Sequence, residues 1–197
     1  MLLSILTPAI WSRVRQTESL KNEIEDQVNA WMLEHPTERN PVEHLVLLDT
    51  RTRSVGLKRQ ALLDSALGDY IAFCDDDDLI GPTYIEDILT AISSSPDVVT
   101  FRQASIINRE LGHIEFSANA TTDSPWTAGA TVTRPPWHVC VWRRKLVKHC
   151  LFTDKNYGED LDWCLQARPL IKRAVHIDEI LHTYIHDSTT TAAPAPL

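Results

Sequence analysis

The sequence contains little of what several common protein classes require. Its four cysteines form no CxxC pair, which argues against a zinc site or a disulfide framework and favours reduced thiols in a cytoplasmic protein. Acidic residues outnumber basic ones, and the net charge of -8 disfavours a broad nucleic-acid surface without excluding a local basic groove. The apolar opening MLLSILTPAI lacks a basic start and contains Pro8, so it predicts a buried strand and neither a signal peptide nor membrane insertion.

The residues that are present have the pattern of one globular α/β domain. A length of 197 residues, 43% of them hydrophobic, suffices for one substantial core. Three apolar runs predict interior strands of a largely parallel sheet, at 2–6, 43–49 and 70–74. Helical patterning alternates with these strands, at 14–35, 54–67 and 81–92. This alternation predicts a doubly wound fold, a central mostly parallel sheet flanked by helices.

The second half of the chain is less regular. Its patterning predicts two strands, then a strand leading into a short helix, and then a further helix, at 97–107, 113–118, 139–150 and 157–170. The segment 188–197, STTTAAPAPL, is of low complexity and predicts a disordered tail.

Four consecutive carboxylates, Asp75–Asp78, directly follow the third predicted strand. Adjacent anions repel one another, so a folded protein rarely retains such a cluster without a cation. Clusters of oxygen ligands suit Mg²⁺ or Mn²⁺, which commonly bridge carboxylates to substrate phosphates. Thr7-Pro8 and Asp49 follow the first two strands, and the carboxyl ends of parallel strands meet at one edge. The sequence therefore predicts a metal and a diphosphate at this edge.

Other interpretations of the cluster differ in the class of protein that they imply. A solvated acidic turn or a helix cap needs no ligand, and an EF-hand is excluded by the missing alternation and glycine. A metal-dependent phosphohydrolase would carry Asp-x-Asp-x-Thr, but Leu79 occupies the threonine position. A sugar nucleotidyltransferase needs a glycine- and arginine-rich first loop, which LTPAIWSR is not. A non-catalytic nucleotide-sugar-binding module is the remaining alternative.

The segment SVGLKRQALLDSALGDYIAFCDDDDLIGPTYIEDI resembles the nucleotide-sugar half of family 2 glycosyltransferases of the GT-A fold. Gly56, Arg59-Gln60, Gly68-Asp69-Tyr70 and Asp75–Asp78 stand at the intervals of that family, although Gln60 replaces its usual asparagine. ILTPAIWSR is similar to the family's first strand and donor loop, and LVLLDT to its second strand.

The second half resembles the acceptor half of the same family. The stretch CVWRRKLVKHCLFTDKNYGEDLDWCLQARPL contains a WRR strand end, a Phe-containing loop and a Gly-Glu-Asp helix start, and LHTYIHDSTT is similar to the closing Tyr-x-His. The resemblance implies a single GT-A domain over 1–187, with a nucleotide-sugar half at 1–100 and an acceptor half at 101–187. It is that of small phage or bacterial members, which implies a cytoplasmic location, in the host cell if the protein is phage-encoded.

The resemblance implies a donor site for a nucleoside-diphosphate sugar, with a UDP-sugar favoured. The donor-binding residues would be Thr7, Pro8, Ala9, Arg13, Asp49, Arg59, Asp75 and Asp76. Mn²⁺ or Mg²⁺ would be bound by Asp77 with Asp75 and His186, and His182 is the nearby alternative. Lys58 is a further candidate for the diphosphate, and exposure on a helix surface is the alternative for Lys58, Arg13 and Arg59.

The resemblance also implies the catalytic residue. Family 2 enzymes generally invert the anomeric centre, so a carboxylate must deprotonate the acceptor hydroxyl, and Asp160 is the candidate. The alternative is that Glu159 and Asp160 only complement a helix N-terminus. Acceptor contacts are predicted for Trp137, His138, Glu159 and Trp163, with a core position as the alternative for Trp163. Similar Pro-Pro-x-His stretches occur in phage-type members linked to modified DNA bases, so such a base and a glycan are both candidate acceptors.

Overall fold

A computed structural model describes residues 2–186, so the tail predicted at 188–197 lies outside the described residues. One sheet contains the nine strands that the described residues form. Its order is β2-β1-β3-β8-β5-β6-β7, with β9 alongside β5 and β4 paired to β9. The strands are β1 (Leu3–Ile10), β2 (Val42–Asp49), β3 (Tyr70–Phe73), β4 (Leu79–Ile80), β5 (Val98–Ile107), β6 (Glu110–Phe116), β7 (Thr131–Arg134), β8 (Val141–Arg143) and β9 (Ala174–His186).

Five α-helices in residues 2–186 accompany this sheet: α1 (Val14–Glu34), α2 (Val55–Ser65), α3 (Tyr84–Ile92), α4 (Arg144–Val147) and α5 (Glu159–Ala167). The first half alternates strand and helix, and β2, β1 and β3 run parallel. This arrangement confirms the predicted α/β class. No helix within the described range combines the length and the apolar character that a bilayer span requires.

Strand β1 continues past Pro8, although a proline ordinarily interrupts a strand. The carbonyls of Leu2 and Leu6 accept hydrogen bonds from the backbone N–H groups of Tyr70 and Cys74. The backbone N–H and C=O groups of the even-numbered residues of β1 therefore point toward β3. Strand β3 ends at Phe73. The missing N–H of Pro8 therefore points beyond the end of its neighbour, and no ladder hydrogen bond is lost.

The core lies on both faces of the parallel half and extends under α5. Helix α1 buries Leu20, Ile24 and Val28, which are spaced at helical intervals along one face. In the second half, Trp142 and Trp163 are fully buried and meet edge to face, with ring centroids 5.3 Å apart. The two halves thus share one hydrophobic core.

The long strand β9 is not predicted by the sequence pattern. It runs parallel to β5, but the register shifts on both sides of Arg102. This bulge interrupts the period of two that identifies a strand in sequence, because Asp178 and Glu179 fall between paired residues. The β5–β6 hairpin turns at Asn108 and Arg109, which both have the positive φ that a two-residue type I′ hairpin turn requires.

Candidate active site

The acidic segment Asp75–Asp78 follows β3 at the sheet edge where β1 and β2 also end. Its four carboxylates have different partners. Asp75 accepts hydrogen bonds at both oxygens from Nη2 of Arg59, at 2.8 Å each. Asp78 is buried against β9, with 3.1 Å between its Oδ2 and Nε2 of His182. The segment is therefore fixed to the protein at both ends.

Asp76 and Asp77 share a single arginine. Nη1 of Arg13, just after β1, lies 2.9 Å from Oδ1 of Asp76 and 2.9 Å from Oδ2 of Asp77. Asp76 is buried and also accepts a hydrogen bond from the backbone of Ile10, at 2.9 Å. The side chain of Asp77 remains 28% exposed. Burial and then repulsion from Asp78 raise the pKa of Asp77 to about 7. Asp77 is thus the carboxylate of this segment that is both accessible and short of positive charge.

Arg59 links the acidic segment to the second half of the site. Its side chain is buried between Asp75 and Glu159, and it pairs with both carboxylates. Helix-surface exposure, the alternative for this residue, is therefore wrong. Since the Arg59 guanidinium is enclosed by two carboxylates, it holds these side chains in place and is not accessible to a diphosphate.

Lys58 is also buried, so exposure is wrong for this residue too. Its Nζ donates to the Ala9 carbonyl at 2.8 Å and to Oδ1 of Asp49 at 3.1 Å. These bonds connect the ends of β1 and β2. Against the cost of burial, hydrogen bonds from Lys58 and from the backbone of Arg51 and Arg53 lower the pKa of Asp49. The carboxylate at the end of β2 is thus held ionised and oriented.

Helix α5 begins at the Gly-Glu-Asp stretch, as the sequence predicts. Gly158 precedes it with φ +79°, a left-handed conformation that favours glycine. Glu159 then points inward to Arg59, while the side chain of Asp160 is 26% exposed. Oδ2 of Asp160 accepts a hydrogen bond from Nε1 of Trp137 at 3.2 Å. The helix start therefore presents one carboxylate to the core and one to the pocket.

Several predicted contacts are corrected by burial. Trp163 is fully buried, with its ring stacked on Phe152 at a centroid distance of 5.1 Å, so it belongs to the core and cannot contact an acceptor. Glu159 is buried against Arg59 and is likewise not an acceptor contact. Thr7, Pro8 and Ala9 are buried as whole residues, so they are not exposed contacts for a donor.

The predicted metal set of Asp75, Asp77 and His186 is not assembled. Within residues 2–186, no three His, Cys, Asp or Glu side chains are grouped to bind a metal. Both oxygens of Asp75 are bonded to Arg59, and His186 stacks on Tyr184 at the end of β9, 6.2 Å between ring centroids. The nearby alternative, His182, faces Asp78 instead.

Three polar residues of the site were missed by sequence reasoning. Oε1 of Gln103 lies 3.1 Å from Nδ1 of His182 and orients that ring toward Asp78. Burial, and then the charges of Asp78 and Asp75, raise the pKa of Tyr184 to about 12. Arg168 packs on the Trp137 ring. The Tyr-x-His stretch was a signal for Tyr184, whereas Gln103 and Arg168 become neighbours of the site only through the pairing of β5 with β9 and the packing of α5.

Comparisons with solved structures define the class of fold. TarS of S. aureus, residues 1–349 with UDP-GlcNAc, matches with a TM-score of 0.65 and 14% identity over 98% of this chain and 62% of that chain. The catalytic domain of Drosophila beta1,4galactosyltransferase 7 with xylobiose matches with a TM-score of 0.55 and 13% identity over 100% of this chain and 76% of the other. These likenesses confirm the GT-A fold. The chain spans less than two thirds of the TarS chain that it matches.

The comparison with sequence families is more specific. The model described as Glycosyl transferase family 2 matches residues 43–148, more than half of the chain. The protein therefore belongs to glycosyltransferase family 2, and the predicted family is confirmed. Among curated proteins, none matches the sequence.

Proposed function

We propose that this glycosyltransferase moves a sugar from a nucleoside-diphosphate sugar to an acceptor hydroxyl, with the assistance of a divalent metal and with inversion at the anomeric carbon. The observation that carries the proposal is the Arg59 bridge between Asp75 and Glu159. It ties the acidic segment after β3 to the helix start that carries Asp160. The proposed donor edge and the candidate base are thus linked through one buried arginine, the first from the proposed donor half and the second from the proposed acceptor half.

A UDP-sugar is the favoured donor. TarS, which shares the fold, was crystallised with UDP-GlcNAc and also with UDP. The Asp49 carboxylate at the end of β2 already accepts four hydrogen bonds, so a nucleotide base or ribose would bind it by replacing one of these donors. Asp75 and Asp76 line the neighbouring strand end. Arg13 pairs with Asp76 and Asp77 but keeps 22% of its side chain exposed, and it is the proposed diphosphate contact.

The charges of the site fit a bound divalent cation. Arg13 faces two carboxylates, Asp76 and Asp77, and Arg59 faces two more, so each arginine leaves a negative charge uncompensated. Asp77, with its exposed side chain and raised pKa, is the residue that would bind Mn²⁺ or Mg²⁺. The diphosphate and water would supply the other ligands, as is common for Mg²⁺. When bound, the metal stabilises negative charge on the leaving diphosphate.

Asp160 is proposed as the general base. Its carboxylate takes the proton of the acceptor hydroxyl as that oxygen attacks the anomeric carbon. The bond from this carbon to the diphosphate oxygen breaks, and its electron pair remains on the leaving nucleoside diphosphate. Arg13 is placed to stabilise that charge. We propose that Asp160 acts on the face of the sugar opposite the leaving diphosphate, which gives inversion.

The acceptor side is bounded by Trp137, which is half-buried beside Asp160. An aromatic ring at this position can stack on a sugar or on a base. A glycan or a modified DNA base is therefore proposed as the acceptor, and the resemblance to phage-type members supports the second. A cytoplasmic location accords with this proposal and with the four buried free cysteines.

Calorimetry tests the donor site without knowledge of the acceptor. Binding of UDP and of GDP is measured with and without Mn²⁺, on the wild type and on Asp77→Asn. We expect metal-dependent binding of UDP that Asp77→Asn weakens at least about tenfold, because the variant removes the exposed carboxylate ligand. Asp26→Asn makes the same charge change on the exposed face of α1 and should bind like the wild type. Absence of binding by either nucleotide under all conditions would refute the proposed donor site.

A further inference from the structure

The carboxylate of Asp160 is oriented by a loop of the acceptor half. Nε1 of Trp137 donates to Oδ2 at 3.2 Å, and the backbone N–H of Leu161 donates to Oδ1 at 2.8 Å. The two oxygens thus have different partners, one from the loop and one from the carboxylate's own helix. A carboxylate held in this way has a fixed plane, which defines the direction from which a proton can reach it.

Trp137 is itself held rigidly. Its carbonyl accepts hydrogen bonds from Nε1 of Trp142 at 2.9 Å and from the backbone of Cys140 at 3.0 Å. The guanidinium carbon of Arg168 lies 4.9 Å from the centroid of the Trp137 ring, within cation–π range. Nε of Arg168 also donates to the Pro136 carbonyl at 2.9 Å. The indole N–H is therefore a preorganised donor.

His138 lies behind the same carboxylate oxygen. The residue is only 6% exposed, and neither ring nitrogen has a hydrogen-bond partner among the described residues. Nδ1 is 3.7 Å from Oδ2 of Asp160, too long for a hydrogen bond but closed by a small rotation of either side chain. Burial and then the charge of Arg59 lower the pKa of His138 to about 3, so the ring is neutral and carries one N–H.

A buried imidazole without a partner is costly, so its position requires an explanation. Asp160 supplies one, since its Oδ2 is an acceptor that a small rotation brings within reach of Nδ1. We propose that Trp137 and His138 are positioning residues that jointly orient the Asp160 carboxylate toward the acceptor hydroxyl. This inference rests on the proposed role of Asp160 as the base and replaces direct acceptor binding as the main role of His138.

Other charged and titratable groups also lie around the Asp160 carboxylate. Their effects must be distinguished from those of Asp160 in any experiment that varies the pH. Arg59 approaches from α2, Glu159 precedes Asp160 on α5, and Tyr184 approaches from β9. Asp75 faces His138 from the end of β3. Substitution of Asp160 itself is therefore the reference for every measurement.

The indole N–H signals provide a direct test that needs no substrate. The chain has six tryptophans, and Trp137→Phe identifies the Trp137 signal in a ¹H–¹⁵N correlation spectrum. We expect Asp160→Asn to move this signal, because the indole N–H now donates to a carboxylate and would then meet a neutral amide. A Trp137 signal that ignores Asp160→Asn would overturn the inference.

Turnover distinguishes positioning from support of the fold. The probe is UDP release from UDP-GlcNAc with Mn²⁺ and water as acceptor. Trp137→Phe and His138→Leu should each lower kcat about 10- to 100-fold, the cost expected for a misplaced catalytic group, with little change in KM. His138→Asn, which retains an N–H near the Nδ1 position, should recover most of the rate. Trp126→Phe, at an indole away from Asp160, should behave like the wild type.

The outcomes separate this inference from the proposed function. If Asp160→Asn leaves UDP release unchanged, the assignment of the base fails, while the indole spectrum still decides whether Trp137 orients that carboxylate. If Asp160→Asn abolishes release but Trp137→Phe and both His138 variants turn over like the wild type, the base stands and the positioning role is refuted.

Discussion

Among the individual side chains, the site is organised by a shortage of positive charge. Within the segment, only Asp75 pairs with Arg59 and only Asp78 faces His182, whereas Asp77 shares Arg13 with Asp76. The carboxylate with the least compensation is also an exposed one. Repulsion within the segment is thus concentrated at the point where a ligand can relieve it.

This imbalance predicts how stability depends on pH. Asp77 has a pKa of about 7 in the folded metal-free protein, above the roughly 3.9 of an unfolded aspartate. The folded state therefore binds the proton more tightly, and this stabilising contribution is present below about pH 4 and lost as the pH rises toward 7. Thermal unfolding in EDTA should show Asp77→Asn gaining about 2 kcal/mol over the wild type between these limits. A difference that stays constant with pH, as expected for Asp26→Asn, would contradict this.

Between helices and loops, close backbone approach matters as much as charge. Helix α2 packs against the loop before α5 at Gly56, whose backbone N–H donates to the Lys155 carbonyl at 3.0 Å. A Cβ at this position would lie 1.9 Å from the carbonyl oxygen of Thr153. The glycine is therefore what allows the helix of the donor half to reach the loop of the acceptor half.

Gly56→Ala should accordingly destabilise the protein, although alanine is the better helix former by about 1 kcal/mol. The clash is with backbone, which cannot move aside as a flexible side chain would, and we expect a loss of about 1–3 kcal/mol in urea unfolding. Leu57→Ala, at the adjacent exposed position of the same helix, serves as the control and should change stability less. A Gly56→Ala variant as stable as the wild type would show that the loop is free to shift.

The helices and strands also show what the sequence could and could not predict. Those of the first half were predicted to within a few residues, because their apolar runs are continuous and their boundaries carry strong signals. Ser54, whose side chain caps the start of α2, is one such signal. Strand β9 was missed because its bulge hides the alternation. The carboxylates were found from their adjacency, but their partners were not, since Arg59 and Glu159 are 100 positions apart and meet only in the fold.

Across the molecule, the two halves of the chain form one continuous structure. Strand β8 pairs with both β3 and β5, so the sheet crosses between the halves without a break. The structure brings the Gly-Glu-Asp helix start to the acidic segment through Arg59. The resemblance implied an acceptor contact for Trp163, with a core position as the alternative, and the ring packs in the core while Asp160 stays partly exposed.

The continuous sheet and the buried Arg59 bridge predict that the halves unfold together. Far-UV circular dichroism reports helices such as α1, while four of the six tryptophans belong to the second half, so the two probes follow different parts of the chain. In urea the two transitions should coincide. Arg59→Met should shift both by about 3–5 kcal/mol, because it leaves Asp75 and Glu159 as unpaired buried charges. Arg102→Met removes an exposed pair with Asp178 and should cost less than about 1 kcal/mol. A fluorescence transition that separates from the dichroism transition, in the wild type or in Arg59→Met, would show that the halves are independent units joined only by the sheet.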